Sequence, residues 1–340
     1  MKRFITLLAI IPLITFAQSK KTTAINPPLI ESITSDTVNG IFIQVLFSYD
    51  ENNRVIGIIN KDVSIIKDST KTDILVEKIN LKETFEYQGN AKLPFVRISS
   101  FYDLDNKTKE WIVYSIKKTY FLYKNEQRVG DSSLSLRNDD NKRDFKWDDN
   151  KKAAIIVSKL EKTSSRIYQK NDFTNRSTNY PEIVINEFKL TPSSNISYYL
   201  YEYRYGGRGR SGEYFTFLKY DANLNPLKQL NIASTLSNEK VSFVLSEENG
   251  GTDNPDVMLS VNWYFINQNN MLNYFETFSE ESSPYQHKFR LNYHYNQYNQ
   301  PDYVKMLITR ETIDNRPNPH PNETIVINKF QKNFTFSYKK

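Results

Sequence analysis

The chain has no cysteine in its 340 residues, only 10 glycines, and just three tryptophans and three histidines. Without thiols there is no disulfide framework, no thiolate zinc site, no cysteine nucleophile and no acylated N-terminal cysteine, so a lipoprotein is excluded. Alanine is scarce, and no window of a dozen residues keeps a 3.6 period between plausible caps. The best helical candidate, Leu236 to Glu248, reads equally well as a strand around Val241–Leu245. Past residue 17 no run is long and apolar enough for a membrane helix. Charge of one sign is lacking too. The 45 basic residues nearly match 39 acidic ones and intersperse with them, which argues against a disordered polyelectrolyte and against a nucleic-acid partner.

The first segment is an address. Met1-Lys2-Arg3 is a basic leader, Phe4 to Phe16 is an apolar run of thirteen residues, and Thr15-Phe16-Ala17 sets small residues at −3 and −1 of a cleavage site. That is the layout of a secretory signal peptide over residues 1–17. Removing it leaves 340 − 17 = 323 residues and lowers the formal charge from +6 to +4. The expected location is the periplasm, cell surface or medium.

What fills the remainder is alternation. Tyr199, Tyr201, Tyr203 and Tyr205 share one face of an extended segment, with Tyr198, Leu200, Glu202 and Arg204 on the other. Phe334, Phe336 and Tyr338 alternate with polar residues in the same way. Period-2 patterning with β-branched and aromatic residues predicts an all-β fold, an antiparallel meander of hairpins forming a curved sheet or an open or closed barrel. Residues 18–340 read as one elongated domain. A break or loop is expected near 137–152, where eleven of sixteen residues are charged.

A turn unit recurs. Tyr49-Asp50-Glu51-Asn52-Asn53-Arg54-Val55, Tyr220-Asp221-Ala222-Asn223-Leu224-Asn225-Pro226 and Tyr295-Asn296-Gln297-Tyr298-Asn299-Gln300-Pro301 share a layout, with looser copies starting at Tyr87, Tyr123 and Trp147. In each, an aromatic closes a strand and Asn-rich residues turn the chain. Asn and Asp tolerate positive φ and bond their own backbone, so 36 asparagines do work that 10 glycines do not. These windows resemble the YD repeat of RHS-type cell-surface proteins, with Asn53 in the glycine place and Val55 in the leucine place. Taken whole, the chain resembles the secreted β-rich proteins of Bacteroidetes that carry scattered Tyr-Asp hairpins. The resemblance implies an envelope protein built of hairpins, and it does not imply a complete RHS shell.

Catalytic constellations are missing. Gly207, Gly209 and Gly212 match G-x-G-x-x-G, but Tyr214-Phe215-Thr216-Phe217 resumes a strand where a dinucleotide site needs a helix. Arg208 and Arg210 in that loop offer bidentate donors and form a candidate anion-binding loop, against the plainer reading of a hairpin tip. The Tyr199, Tyr201, Tyr203 and Tyr205 stripe is a candidate glycan-stacking platform, against the plainer reading of core packing. His287 and His294 lie an odd offset apart and face opposite sides of a strand. Asp103 and Asp105 have calcium-loop spacing but no later ligands in register. Each S-x-x-K, as at Ser64, Ser115 and Ser337, puts Ser and Lys on opposite strand faces. No catalytic residue, metal or cofactor is assigned.

The expectation is therefore an exported, non-enzymatic β-protein of the cell envelope. It would bind a surface polymer, such as an envelope glycan, or a partner protein through a sheet face or hairpin loops. The alternatives are an outer-membrane β-barrel and, last, a secreted hydrolase using scattered carboxylates.

Overall fold

The computed structural model describes residues 27–67, 73–105, 107–148, 154–174, 182–205, 208–232, 240–247, 257–265, 267–278, 285–312 and 327–339. The signal-peptide segment lies outside them. The strands run in chain order as β1 (Ile30–Ser35), β2 (Ile41–Tyr49), β3 (Val55–Lys67), β4 (Asp73–Glu86), β5 (Val96–Leu104) and β6 (Trp111–Lys124). β7 (Gln127–Arg137), β8 (Ala154–Lys162), β9 (Arg166–Thr174), β10 (Glu182–Leu190), β11 (Ile196–Tyr205) and β12 (Arg208–Leu224) follow. The last six are β13 (Lys240–Glu247), β14 (Val257–Tyr264), β15 (Asn269–Phe278), β16 (Tyr285–Tyr295), β17 (Pro301–Thr312) and β18 (Ile327–Tyr338).

Sixteen of these strands close into an antiparallel barrel in which β18 returns to pair with β1, while β13 and β14 form a separate two-stranded sheet. The meander is therefore closed. The segment around Val241–Leu245 takes the strand reading, since β13 pairs with β14 from Lys240↔Tyr264 to Glu247↔Val257. β7 and β8 pair directly, from Gly130↔Lys159 to Ser135↔Ala154, so the charged stretch between them is a connection at one rim of the barrel. Its described part folds back on the outer wall. Asn138 Nδ2 donates to the carbonyls of Val113 and Lys142 at 2.8 Å, and Leu136 and Ile116 are buried on that wall.

The two rims differ. One carries short turns, 50–54, 88–95, 125–126, 191–195 and 296–300, together with the first residue of β1 and the last of β18. The other carries the β1–β2, β3–β4, β5–β6, β7–β8, β9–β10, β11–β12, β15–β16 and β17–β18 connections.

The inside is filled. Along β16, β17 and β18 the inward residues Phe289, Leu291, Val304, Met306, Ile308, Phe334 and Phe336 are at most 4% exposed, and they join Ile33, Val45, Phe188, Phe215 and Tyr274 in one core. A sixteen-stranded barrel left open would enclose an aqueous channel and wet these side chains. The insertion between β12 and β15 helps close it. A 3-10 turn over Pro226–Leu230, capped by Asn225 and ended by Asn231 in the left-handed region, buries Pro226, Leu227 and Leu230. Trp263 packs edge-on to Phe334 at 4.7 Å, and Ile232 and Phe265 join the same core. This plug sits at the short-turn rim.

Candidate functional site

The recurring turn is a structural device, and its geometry repeats in the Tyr49 and Tyr295 copies, where Asn296 Oδ1 accepts the backbone N–H of Tyr298 and Gln300 as Asp50 Oδ1 does for Asn52 and Arg54. In the first copy, Asp50 Oδ1 accepts the backbone N–H of Asn52 and of Arg54, and Arg54 Nε donates to Asp50 Oδ2 at 2.7 Å. Arg54 then reaches the carbonyls of Gly89 and Ala91 in the next turn and lies 4.5 Å over the Tyr87 ring. Asn53 has φ +60° and Asn299 has φ +57°, both at the fourth position after the tyrosine. The expectation that asparagine replaces glycine there holds.

The tyrosines add something the pattern did not reveal. Tyr49, at the end of β2, donates its hydroxyl to the carbonyl of Ile30 at the start of β1 at 2.6 Å. Tyr87 reaches Val55 at the start of β3, Tyr123 reaches Pro94 before β5, Tyr220 reaches Ile196 at the start of β11, and Tyr338 reaches Pro301 at the start of β17. Each hydroxyl thus staples a strand to the beginning of the strand before it, across 19 to 37 residues. Tyr295 instead donates to Asp221, because the plug occupies that stretch of rim. Burial raises the pKa of Tyr87 to about 12 and also raises those of Tyr49, Tyr220 and Tyr338. The Trp147 window departs from the pattern: it closes no strand and lies at the opposite rim, where its ring meets Lys118 at 5.7 Å. Dense charge there leaves no apolar face for a strand to bury.

Of the proposed platform, Tyr199 is a core residue. It is 5% exposed, its ring lies 4.6 Å from Phe188 and 5.4 Å from Phe215, and its hydroxyl donates to Asn186 Oδ1. Tyr199 points into the barrel, out of reach of any glycan. The side chains of Tyr201, Tyr203 and Tyr205 lie outside the described residues, as do those of Arg208 and Arg210. The backbone places Arg208 opposite Tyr205 and Arg210 opposite Arg204, at the β11–β12 turn. His287 faces inward beside Glu276 at 3.5 Å, whereas His294 faces out and pairs with Asp302, as the odd offset required. His320 lies outside the described residues. Asp105 spends its carboxylate on the N–H groups of Lys107 and Thr108 and on the Thr108 hydroxyl, which lowers its pKa, so this is a hydrogen-bonded turn. Among the described residues no cluster could hold a metal.

A polar band crosses the inner wall from β4 to β9. Glu83 faces Arg97 at 3.6 Å and accepts from Ser99, Arg128 donates to Asp131 at 2.7 Å, and Thr119 bonds Ser133. Lys117 sits among them, and burial, reinforced by Arg97, lowers its pKa to about 8 against the pull of Asp131 and Glu83. Arg97, Asp131 and Gln169 are at most 1% exposed, so the band is enclosed.

The accessible chemistry is outside. No family model matches the chain, and no curated protein matches it. Among solved structures it is similar to a porin-like protein from Bacteroides uniformis ATCC 8492, at 7% identity and a TM-score of 0.46 over 92% of this chain and 98% of that one. It is also similar to a porin-like protein from Bacteroides vulgatus ATCC 8482, at 10% identity and a TM-score of 0.39 over 92% of this chain and 99% of that one.

On the outer wall of β15 to β18 lies a groove of about 500 Å³ whose outward-facing lining is Asn273, Phe275, Lys288, Arg290, Leu307, Thr309 and Lys329. Cross-strand register explains the set. Phe275, Lys288, Thr309 and Lys329 stand side by side on four successive strands, and Asn273, Arg290 and Leu307 form the next row. Lys288 Nζ lies 5.8 Å over the Phe275 ring. Three cations and no carboxylate line the groove among the described residues. Sequence reading missed it because the residues come from four strands spread over 57 positions, each with an ordinary alternating pattern.

Proposed function

We propose that this protein is an exported, non-enzymatic β-barrel that stands in water and binds a polymer of the cell envelope through its outer wall. The observation that carries the reading is the direction of polarity on β16 to β18, the strands opposite the wall whose inner face is polar and where Leu122 and Val157 are exposed. A membrane barrel sets an apolar band against lipid and keeps its polar residues inside. Here most inward side chains of β16 to β18 are Phe, Leu, Val, Met and Ile, with His287 and Lys332 buried among them, while Arg290, Asn292, His294, Lys305, Lys329, Gln331 and Thr335 are exposed on the outer wall. A Lys or Arg at the midplane of a lipid-facing wall costs about 2–4 kcal/mol, and this wall carries several on three adjacent strands. The filled interior further argues against solute passage.

The outer-membrane reading has its own support. The sheet does close and the strand number is even, as in membrane barrels. Cell fractionation with surface proteolysis separates the two. The proposal expects the protein in the soluble fraction or washed from the surface by salt. Heat-modifiable migration and extraction only by detergent would establish the membrane barrel instead. The signal-peptide reading of residues 1–17 and the Tyr-Asp hairpin resemblance both support an envelope location.

A further inference from the structure

We infer that the outer-wall groove of β15 to β18 is a binding site for an acidic polysaccharide, one carrying carboxylate or sulfate groups along a chain of sugar rings. This rests on the reading of a water-facing outer wall and names the ligand class of that wall. Lys288 and Lys329 stand in one cross-strand row with β17 between them. Two strand spacings put their stems about 10 Å apart, and Arg290 is about 7 Å along β16 from Lys288. Cations spread in this way do not converge on a single small anion. They match charges repeated along an extended chain.

The surface between the cations suits sugar rings. Phe275 and Leu307 interleave with the cations, and Leu307 is 37% exposed. Apolar faces of this size complement the C–H faces of pyranoses, and Asn273 and Thr309 supply groups that bond hydroxyls. Arg290 presents a planar fork that matches a carboxylate or sulfate bidentately. A nucleic-acid duplex would need a broader basic face than one groove on a wall of mixed charge.

The test uses the protein produced from its full chain, in detergent-free buffer of low ionic strength. Isothermal titration with a galacturonate hexamer is compared with the neutral maltohexaose. Binding of the acidic oligomer alone is expected, weakening as salt rises. Arg290→Ala, and Lys288→Ala combined with Lys329→Ala, should each weaken it at least tenfold, while Lys288→Arg retains it. Lys159→Ala on the exposed far wall should leave it unchanged. Circular dichroism checks that each variant is folded. Failure of a monodisperse protein to bind galacturonate or dextran sulfate would overturn the proposal. So would equal affinity for maltohexaose, tighter binding of single-stranded oligodeoxyadenylate, or binding that the groove variants do not reduce. A protein that needs detergent to stay in solution refutes the water-facing reading itself, a different result from a soluble protein that ignores the probe.

Discussion

At the scale of single residues, the molecule depends on hydroxyl and amide groups that tie backbone to backbone. The Tyr220 hydroxyl bonds the Ile196 carbonyl in a half-buried rim. Removing it leaves a carbonyl short of a partner, so Tyr220→Phe should cost about 1–2 kcal/mol in denaturant unfolding. Tyr49, Tyr87, Tyr220 and Tyr338, together with Tyr293 and Tyr295, have pKa values raised by burial. A group raised in the folded state contributes stability below its unfolded pKa and loses it above, so these tyrosines should make unfolding easier as pH climbs past about 10. Lys117 acts with the opposite sign. Its folded value of about 8 lies below the ordinary 10.5, so between those values the unfolded chain holds a proton that the folded chain has released. Stability from that group therefore rises with pH across the window. Lys117→Met should remove this rise and stabilise the protein at pH 7 by on the order of 1–3 kcal/mol, measured by urea titration at pH 7 and pH 9.5.

At the scale of elements, the turns and one sheet edge are the sensitive parts. Asn53 adopts φ +60°, a conformation open to Asn and Gly and strained for a β-branched residue. Asn53→Gly should leave the melting temperature nearly unchanged, whereas Asn53→Val should destabilise by about 1–2 kcal/mol. β4 pairs with β5 only from Leu81 to Glu86, so the edge from Asp73 to Asn80 is open while Ile74, Leu75 and Val76 are 45–61% exposed. Such an edge invites strand addition. Leu75→Lys should lower concentration-dependent association, read by light scattering, without changing stability by more than about 0.5 kcal/mol. Alternation revealed the strands, and the recurring aromatic and Asn-rich unit revealed the turns after Tyr49, Tyr87, Tyr123 and Tyr295, whereas β12 runs on past Tyr220 to Leu224 and leads into the insertion instead of a hairpin. Tyr338 was not legible as a member of that series, because no turn follows it. Nor was the partner of each hydroxyl, since a contact 19 to 37 residues away is set by strand pairing. Tyr199 illustrates the limit of pattern: alternation places it on a face, and only closure of the sheet shows that the face is interior.

At the scale of the whole molecule, one topology serves two opposite polarities, and polarity determines what the barrel does. Sixteen antiparallel strands with short turns at one rim describe a channel when the lumen is wet. Here Phe188, Phe215, Phe289 and Phe334 are at most 2% exposed, and Trp263 is brought into the same core by an insertion in the meander. Trp263→Ala should cost about 3–5 kcal/mol by thermal unfolding, since it removes a buried indole that packs edge-on to Phe334 and Phe336. The central claim is that the wall facing outward meets water. Sedimentation velocity in detergent-free buffer tests it most directly. A small, discrete soluble species with no requirement for detergent is expected. Aggregation in buffer, with a single species recovered only inside detergent micelles, would contradict it.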